Sequence, residues 1–386
     1  LAAQTIHGPR IVTDPEPLAQ ALAAEPLPDL MARARIVRDG AWGRTVTYSR
    51  KVFVPLTNMC RDTCGYCAFV KHPDHPEARI MSPRAVLASV RAGAAQGCKE
   101  ALFSLGEKPE RRHPEAKRAL RALGHDSMTD YLKAMCALVR ARTPLLPHVN
   151  AGTLSEDDIR ALKPVAASMG MMLESTSRRL TRPGMAHHAC PDKQPIQRLR
   201  TLDRAGRHKV PFTTGLLIGI GETWTERVAT LLAIEAAHRR HGHVQEVIVQ
   251  NFRRKPGIAM ANHPEPGLDD MRRTIAAARV ILSPDVSLQA PPNLSARHIA
   301  YLEAGINDWG GLSPVTIDFI NPRHAWPEIG RLSRTCAERG YRLEERLTVY
   351  PNHIAREGFL DAAMRRPVAD LARTDGLARR RAEAVP

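Results

Sequence analysis

The sequence predicts an α/β fold, a closed (β/α)8 barrel, and three observations carry that expectation. From Val52 onward, short β-branched runs alternate with longer amphipathic segments, the pattern of repeated βα units around a parallel sheet. There are eight such runs, enough to close a ring. The residues of unusual chemistry fall directly after these runs, where a barrel assembles its active site from the C-terminal ends of its strands.

In chain order, residues 1–48 read as an N-terminal cap with its own helices, 49–360 as the barrel and 361–386 as a basic C-terminal tail. The first strand, Val52–Leu56, leads into Asn58-Met59-Cys60, then a helix over Pro83–Gln96 that Ser82 caps and Pro83 opens. Strands over Ala101–Leu105 and Leu145–Val149 precede Gly106-Glu107 and Asn150, with a helix at Ser127–Arg142 between them. Ser155 followed by Glu156, Asp157 and Asp158 supplies a cap and an acidic first turn for a helix to Val165. Strands then follow at Met171–Glu174, Thr213–Ile218, Glu246–Gln250, Val286–Gln289 and Val315–Ile320. Helices are expected at Thr225–Arg240, Leu268–Leu282 and Arg323–Arg339. From about Asp361, with Arg365-Arg366 and Arg379-Arg380-Arg381, the chain reads as a helix fraying into a mobile basic end.

Composition narrows the class. With 386 residues, 43% apolar and 25% charged, the chain has the material for a core and is neither fibrous nor disordered. No run approaches the roughly 18 apolar residues that span a bilayer, and Leu1–Gln20 lacks the regions of a secretory signal, so no membrane association is expected. Seven cysteines, three of them within eight residues, suit thiolate ligands in a reducing compartment better than a disulfide framework, which places the chain in the cytoplasm. A net charge of +16 raises nucleic acid as a partner. The basic residues are scattered, though, as in Arg239-Arg240, Arg253-Arg254-Lys255 and Arg272-Arg273, and aromatics are only 4%, so a solvated surface is the better reading.

The most informative stretch is Cys60-x3-Cys64-x2-Cys67, predicted on the first βα loop. One loop can bring three thiolates to one inorganic centre. A structural zinc takes four protein ligands, and His72 or His75 is placed to complete a Cys3His set. Three soft ligands match an iron–sulfur cluster better, leaving one iron open to chemistry. Cys98, Cys136 and Cys336 stand alone in helical segments as small hydrophobes. Cys190 lies beside His187 and His188, too few ligands for a second site, so a single cluster is expected.

Cys60-x3-Cys64-x-Tyr66-Cys67 resembles the signature of the radical S-adenosylmethionine enzymes. The resemblance implies a TIM-type barrel in which the three cysteines bind a 4Fe-4S cluster whose fourth iron is chelated by S-adenosylmethionine. Tyr66 matches the aromatic position near adenine. Ser104-Leu105-Gly106-Glu107 resembles the second-strand Gly-Gly-Glu element that binds the methionine ammonium; Leu105 replaces the first glycine, so only Gly106 and Glu107 carry over. Glu174 is a candidate for the ribose or methionine moiety, and Gly219 and Gly221 resemble the fifth-strand glycines beside adenine.

Longer strings, including Ser104-Leu-Gly-Glu-Lys-Pro-Glu110, Val249-Gln-Asn-Phe252 and Ile306-Asn-Asp-Trp-Gly-Gly-Leu-Ser313, resemble one branch, the deazaflavin (FO) synthases, and in particular the subunit equivalent to the N-terminal half of fused enzymes. That resemblance implies a lyase of coenzyme F-420 biosynthesis. Its 5′-deoxyadenosyl radical abstracts hydrogen from the tyrosine-derived 4-hydroxybenzyl adduct of a ribitylaminouracil, the product of a second FO synthase subunit, and an electron donor is required. For the uracil edge and ribityl hydroxyls, Asn150, Gln250, Asn251, Asn293, Asn307 and Asp308 are expected at strand ends facing the barrel mouth. Trp309 reads equally as a pocket wall or a core aromatic. The rival readings are the partner reaction, which couples tyrosine to the ribitylaminouracil, a radical enzyme acting on RNA, and a zinc-stabilised binding protein.

Overall fold

The computed structural model describes residues 14–379. The start of the N-terminal cap before Asp14, and Arg380 and Arg381 of the tail, lie outside the described residues.

Eight parallel strands form a ring: β1 (Thr45–Pro55), β2 (Glu100–Ser104), β3 (Leu146–Asn150), β4 (Ser168–Gly170), β5 (Phe212–Ile218), β6 (Val244–Asn251), β7 (Ser287–Gln289) and β8 (Asp308–Leu312). Pairing of β1 with both β8 and β2 closes it. The core lies between ring and helices, where Val52, Phe103, Val149, Phe212, Val247 and Leu288 are fully buried. Helix starts follow the local chemistry: Ser155 with Asp158 and Thr223 with Glu226 form complete capping boxes. Among the described residues, no helix is long and apolar enough to cross a membrane.

Several expectations need correction. The run Val315–Ile320 is not a strand. Val315 and Ile317 are 37% and 54% exposed, and the segment is folded into turns in which Ser313 Oγ accepts from Thr316 N at 3.0 Å and Asp318 Oδ1 from Ile320 N at 2.9 Å. The ring instead uses Asp308-Trp-Gly-Gly-Leu312, poor in β-propensity but held by burial of Trp309 and Leu312. The fourth strand lies at Ser168–Gly170, earlier than Met171–Glu174, because Glu174 turns to φ 65° and keeps only a single bridge to Leu216. The helix expected at Arg323–Arg339 begins only at Ile329, since Pro327 forces the residue before it out of helical geometry.

A further strand, β9 (Arg342–Glu345), pairs with Thr45–Tyr48 of β1, so the cap boundary expected at Tyr48 falls inside a strand. Beyond β9 the chain crosses the N-terminal end of the barrel and forms its floor. Arg346 donates to Asp308 at 2.6 and 3.0 Å and to Glu246 at 3.0 Å, while Ser168 Oγ and Gln245 Nε2 each donate to Thr348 O at 3.0 Å. The expected fraying tail is also packed: the helix Ala362–Leu371 and the bridge Ala372–Ala378 bury Met364, Val368 and Ala378 in a cluster with Leu146, Ala167, Leu347 and Val349.

Burial holds three histidines far below their ordinary value near 6.5: His148 at about 4, His243 at about 3 and His353 at about 4. All three stay neutral when folded but take up protons near pH 6.5 once unfolded, so the unfolded chain binds more protons across this window. Stability is therefore present above the window and lost as pH falls through it. We expect the melting temperature to drop by at least about 5 °C between about pH 7 and about pH 4 in differential scanning calorimetry; a flat profile would contradict neutral burial.

Candidate active site

The loop after β1 is tied to its neighbours at many points. Asn58 accepts from Arg79 N and donates to Glu77 O, both at 2.8 Å, and Gly106 N donates to Thr57 O at 2.8 Å. Gly65 N donates to Ala186 O at 2.8 Å and Gly65 O accepts from Met260 N at 3.0 Å. These ties carry Cys60, Cys64 and Cys67 to the wall of one cavity of ≈ 240 Å³ at the C-terminal mouth of the barrel. Cys60 Sγ accepts from Asp62 N at 3.3 Å and Glu107 N at 3.1 Å, an environment that favours a charged sulfur once a metal replaces the proton. Without metal, burial and then Asp62 push the Cys60 thiol up.

The donor set fits an iron–sulfur cluster better than one zinc ion. A tetrahedral zinc at about 2.3 Å from each thiolate keeps its sulfurs within about 4.6 Å of one another. Among the described residues, only Asp62, Glu107 and Asp192 bring ligand atoms that close, within 4.8 Å, so the three thiols stand wider apart. His72 does not complete a zinc set; its ring pairs with Asp74 at 3.1 Å on the surface, and His75 is exposed. Cys98, Cys136 and Cys336 are buried apart from the loop, but Cys190 Sγ lies 3.8 Å from Cys64 Sγ.

Glu174 is the electrostatic hub. Its carboxylate accepts from the Tyr66 hydroxyl, lies 2.9 Å from His187 Nε2 and accepts from Lys193 Nζ at 2.5 Å. Burial alone would raise its pKa, but Lys193, His187 and Arg198 outweigh that and hold the carboxyl well below the usual range. Glu107 lines the same cavity, accepting from Thr153 N at 2.5 Å with Arg198 Nη2 at 3.5 Å. Burial and then Glu107 push Asp62 up to about 6. Tyr66, Gly106, Glu107 and Glu174 thus border one cavity with the thiols, whereas Gly219 and Gly221 do not reach its wall. Those glycines form the turn behind it at φ 85° and 98°, where Glu222 accepts from Gly219 N and Ile220 N at 2.8 Å. Leu217 and Phe252 provide the wall there.

Residues 54–234 match the Radical SAM superfamily. The 7,8-didemethyl-8-hydroxy-5-deazariboflavin synthase of Methanopyrus kandleri is 48% identical over 336 residues, 86% of this chain and 100% of that protein. The chain belongs to this synthase family. The FO synthase of Nocardia farcinica is 49% identical over 371 residues, 91% of this chain but 43% of that protein, and the chain spans about half the length of such relatives. Among solved structures, the [FeFe]-hydrogenase maturase HydG of Carboxydothermus hydrogenoformans has a similar fold, with TM-score 0.69 at 17% identity over 88% of this chain and 77% of that one. Membership in the radical S-adenosylmethionine superfamily implies a 4Fe-4S cluster and S-adenosylmethionine in general.

The substrate-side expectations divide. Asn150, Gln250 and Asn251 line the cavity, the last with its Oδ1 buried and without a hydrogen-bond partner among the described residues. Asn307 and Asp308 do not face the mouth. They stand at the N-terminal start of β8, where Asn307 accepts from Arg279 at 2.6 Å and from Leu288 N at 2.8 Å, and Asp308 anchors Arg346. Asn293 also turns away, donating to Asp318 at 3.0 Å and His324 O at 3.2 Å. Trp309 is a core residue, fully buried and donating to Cys336 Sγ at 3.4 Å. Sequence reasoning missed Lys193 and Arg198, which belong to no motif; Lys193 stands three residues after Cys190 and Arg198 lies on the helix Pro195–Arg207.

Proposed function

We propose that the chain is a radical S-adenosylmethionine lyase. It forms 7,8-didemethyl-8-hydroxy-5-deazariboflavin (FO), with release of ammonia, from the 4-hydroxybenzyl adduct of a ribitylaminouracil, in coenzyme F-420 biosynthesis. The observation that carries this reading is the convergence of three thiols from one tied-down loop on a cavity that also holds Glu107, Glu174, Lys193 and Arg198. Full-length coverage of the Methanopyrus kandleri relative supports the substrate.

Cys60, Cys64 and Cys67 would hold one 4Fe-4S cluster. Bound there, the cluster supplies the electron that cleaves S-adenosylmethionine. This chain's residues do the rest. Glu107 offers a carboxylate to the methionine ammonium, Arg198 and Lys193 offer cations to its carboxylate, and Tyr66 with Glu174 borders the nucleoside end. Phe69, Val70, Leu217 and Phe252 make the wall apolar and keep water from a reactive centre. Asn150 and Gln250, at the ends of β3 and β6, orient the substrate. The adduct would come from the second FO synthase subunit and the electron from a reductant of the cytoplasm, where the seven free cysteines stay reduced.

The test is an anaerobic reaction of iron-reconstituted protein with reductant, S-adenosylmethionine and the purified adduct, read by mass spectrometry. Both 5′-deoxyadenosine and FO are expected, with each falling by at least about a hundredfold when Cys60, Cys64 or Cys67 becomes alanine. Deoxyadenosine without FO would overturn the substrate; neither product from folded, iron-loaded protein would overturn the activity.

A further inference from the structure

Deeper in the barrel lies a second chamber of ≈ 180 Å³, and Ser104, Asn150, Met172, Gln250, Ile320 and Asn321 form a wall common to both cavities. Lys51 from β1, His148 from β3 and Gln289 from β7 line it, and none of them is among the site residues expected from the sequence. Each is given room by a glycine on an adjacent strand. A Cβ on Gly311 of β8 would collide with the Lys51 side chain, one on Gly310 with the Gln289 amide, and one on Gly170 of β4 would stand 3.1 Å from His148 Nε2. This accounts for two consecutive glycines in a strand, where side-chain packing normally disfavours them.

The polar ends of these three side chains are not used up by the fold. Gln289 is 6% exposed, yet its amide has no hydrogen-bond partner among the described residues. His148 commits Nδ1 to Ser168 Oγ at 2.7 Å and Thr348 Oγ1 at 3.1 Å, and its Nε2 has no partner among the described residues. Lys51 meets Glu100 at 2.9 Å, and an ammonium carries three donors. Facing the chamber without a partner among the described residues, the amide and the imidazole nitrogen are free to bond a ligand that fills it. The charge balance says which ligand. Glu100, Glu246 and Asp318 line the chamber, and its two cations, Lys51 and Arg346, are already paired with carboxylates, so an incoming anion would meet unbalanced negative charge.

We propose that Lys51, His148 and Gln289 bind the hydroxyl- and imide-bearing end of the substrate in this inner chamber, and that the chamber takes this end only when it carries no phosphate. The assignment rests on the reaction proposed above, whose substrate has a ribityl chain and a uracil edge.

The test titrates full-length protein calorimetrically with 5-amino-6-ribitylaminouracil and, separately, with its ribityl 5′-phosphate. Gln289→Leu removes the amide at similar volume, and Gly311→Ala displaces Lys51 without deleting it. Each variant is expected to bind the neutral probe at least about tenfold more weakly, with iron content and S-adenosylmethionine binding near wild type; Gln289→Leu keeps the wild-type melting temperature, whereas Gly311→Ala melts lower because it pushes Lys51 off the buried Glu100. The phosphate is expected to bind wild type at least about tenfold more weakly than the neutral probe. Wild-type affinity in both variants, or equal affinity for the phosphate, overturns the assignment. Turnover of the adduct by wild type separates the two readings: turnover with unaffected variants overturns the chamber alone, while neither turnover nor probe binding overturns both.

Discussion

Arg346→Met is expected to lower the unfolding free energy by about 3–5 kcal/mol, because it leaves Asp308 and Glu246 buried without their counter-charge. The guanidinium is 2% exposed and reaches both carboxylates, and it lies 4.1 Å over the Tyr350 ring. Burial alone would favour its neutral form, yet Asp308, Tyr350 and Glu246 more than restore the charge. Urea denaturation followed by circular dichroism gives the number. A loss below about 1 kcal/mol would mean that water reaches the floor and screens both carboxylates. A triple variant, Arg346→Met with Asp308→Asn and Glu246→Gln, is expected to recover part of the loss, since the cost is that of unpaired charge rather than of a missing side chain.

Gly106→Ala is expected to abolish iron retention by more than about tenfold while leaving the barrel folded. A Cβ there would overlap the Met59 carbonyl oxygen and stand 2.6 Å from its carbon and 2.9 Å from Cys60 Cβ. These are backbone atoms and the Cβ of a proposed cluster ligand, so the only relief is movement of the cysteine loop. The effect lies in the loop because Gly106 stands just past β2, outside the ring's ladder. Iron per chain after anaerobic reconstitution, set beside the far-ultraviolet spectrum, checks both halves of the expectation. Normal iron content would show that the loop has slack that its many ties argue against.

How far the sequence could be read depended on what each stretch spends its residues on. Six strands and most helices were legible because β-branched runs and capping residues report burial and helix entry directly, as at Phe212–Ile218 and Ser155–Leu162. The eighth strand was not, because Gly310 and Gly311 serve the side chains crossing them rather than the propensity of their own strand. Asn307 and Asp308 stand where that strand begins, which puts them at the floor and not at the mouth. The strand Arg342–Glu345 escaped notice because all four of its residues are at least partly exposed and three are charged. On the site, the cysteines and Glu107 were legible through spacing on one loop or motif. Lys193, Arg198, Lys51 and Gln289 were not, because they meet only after the ring has closed and their neighbours in sequence show no pattern.

The pairing of β1 also sets a timetable. Thr45–Tyr48 finds its partners in β8 and β9, more than 250 residues later in the chain, while only the far half of the same strand meets β2 nearby. During synthesis at about 5–20 residues per second, that edge waits on the order of tens of seconds with its backbone groups unpaired. The protein therefore begins life as an open, curved sheet with a sticky first strand, and only the arrival of its last strands turns that sheet into a vessel.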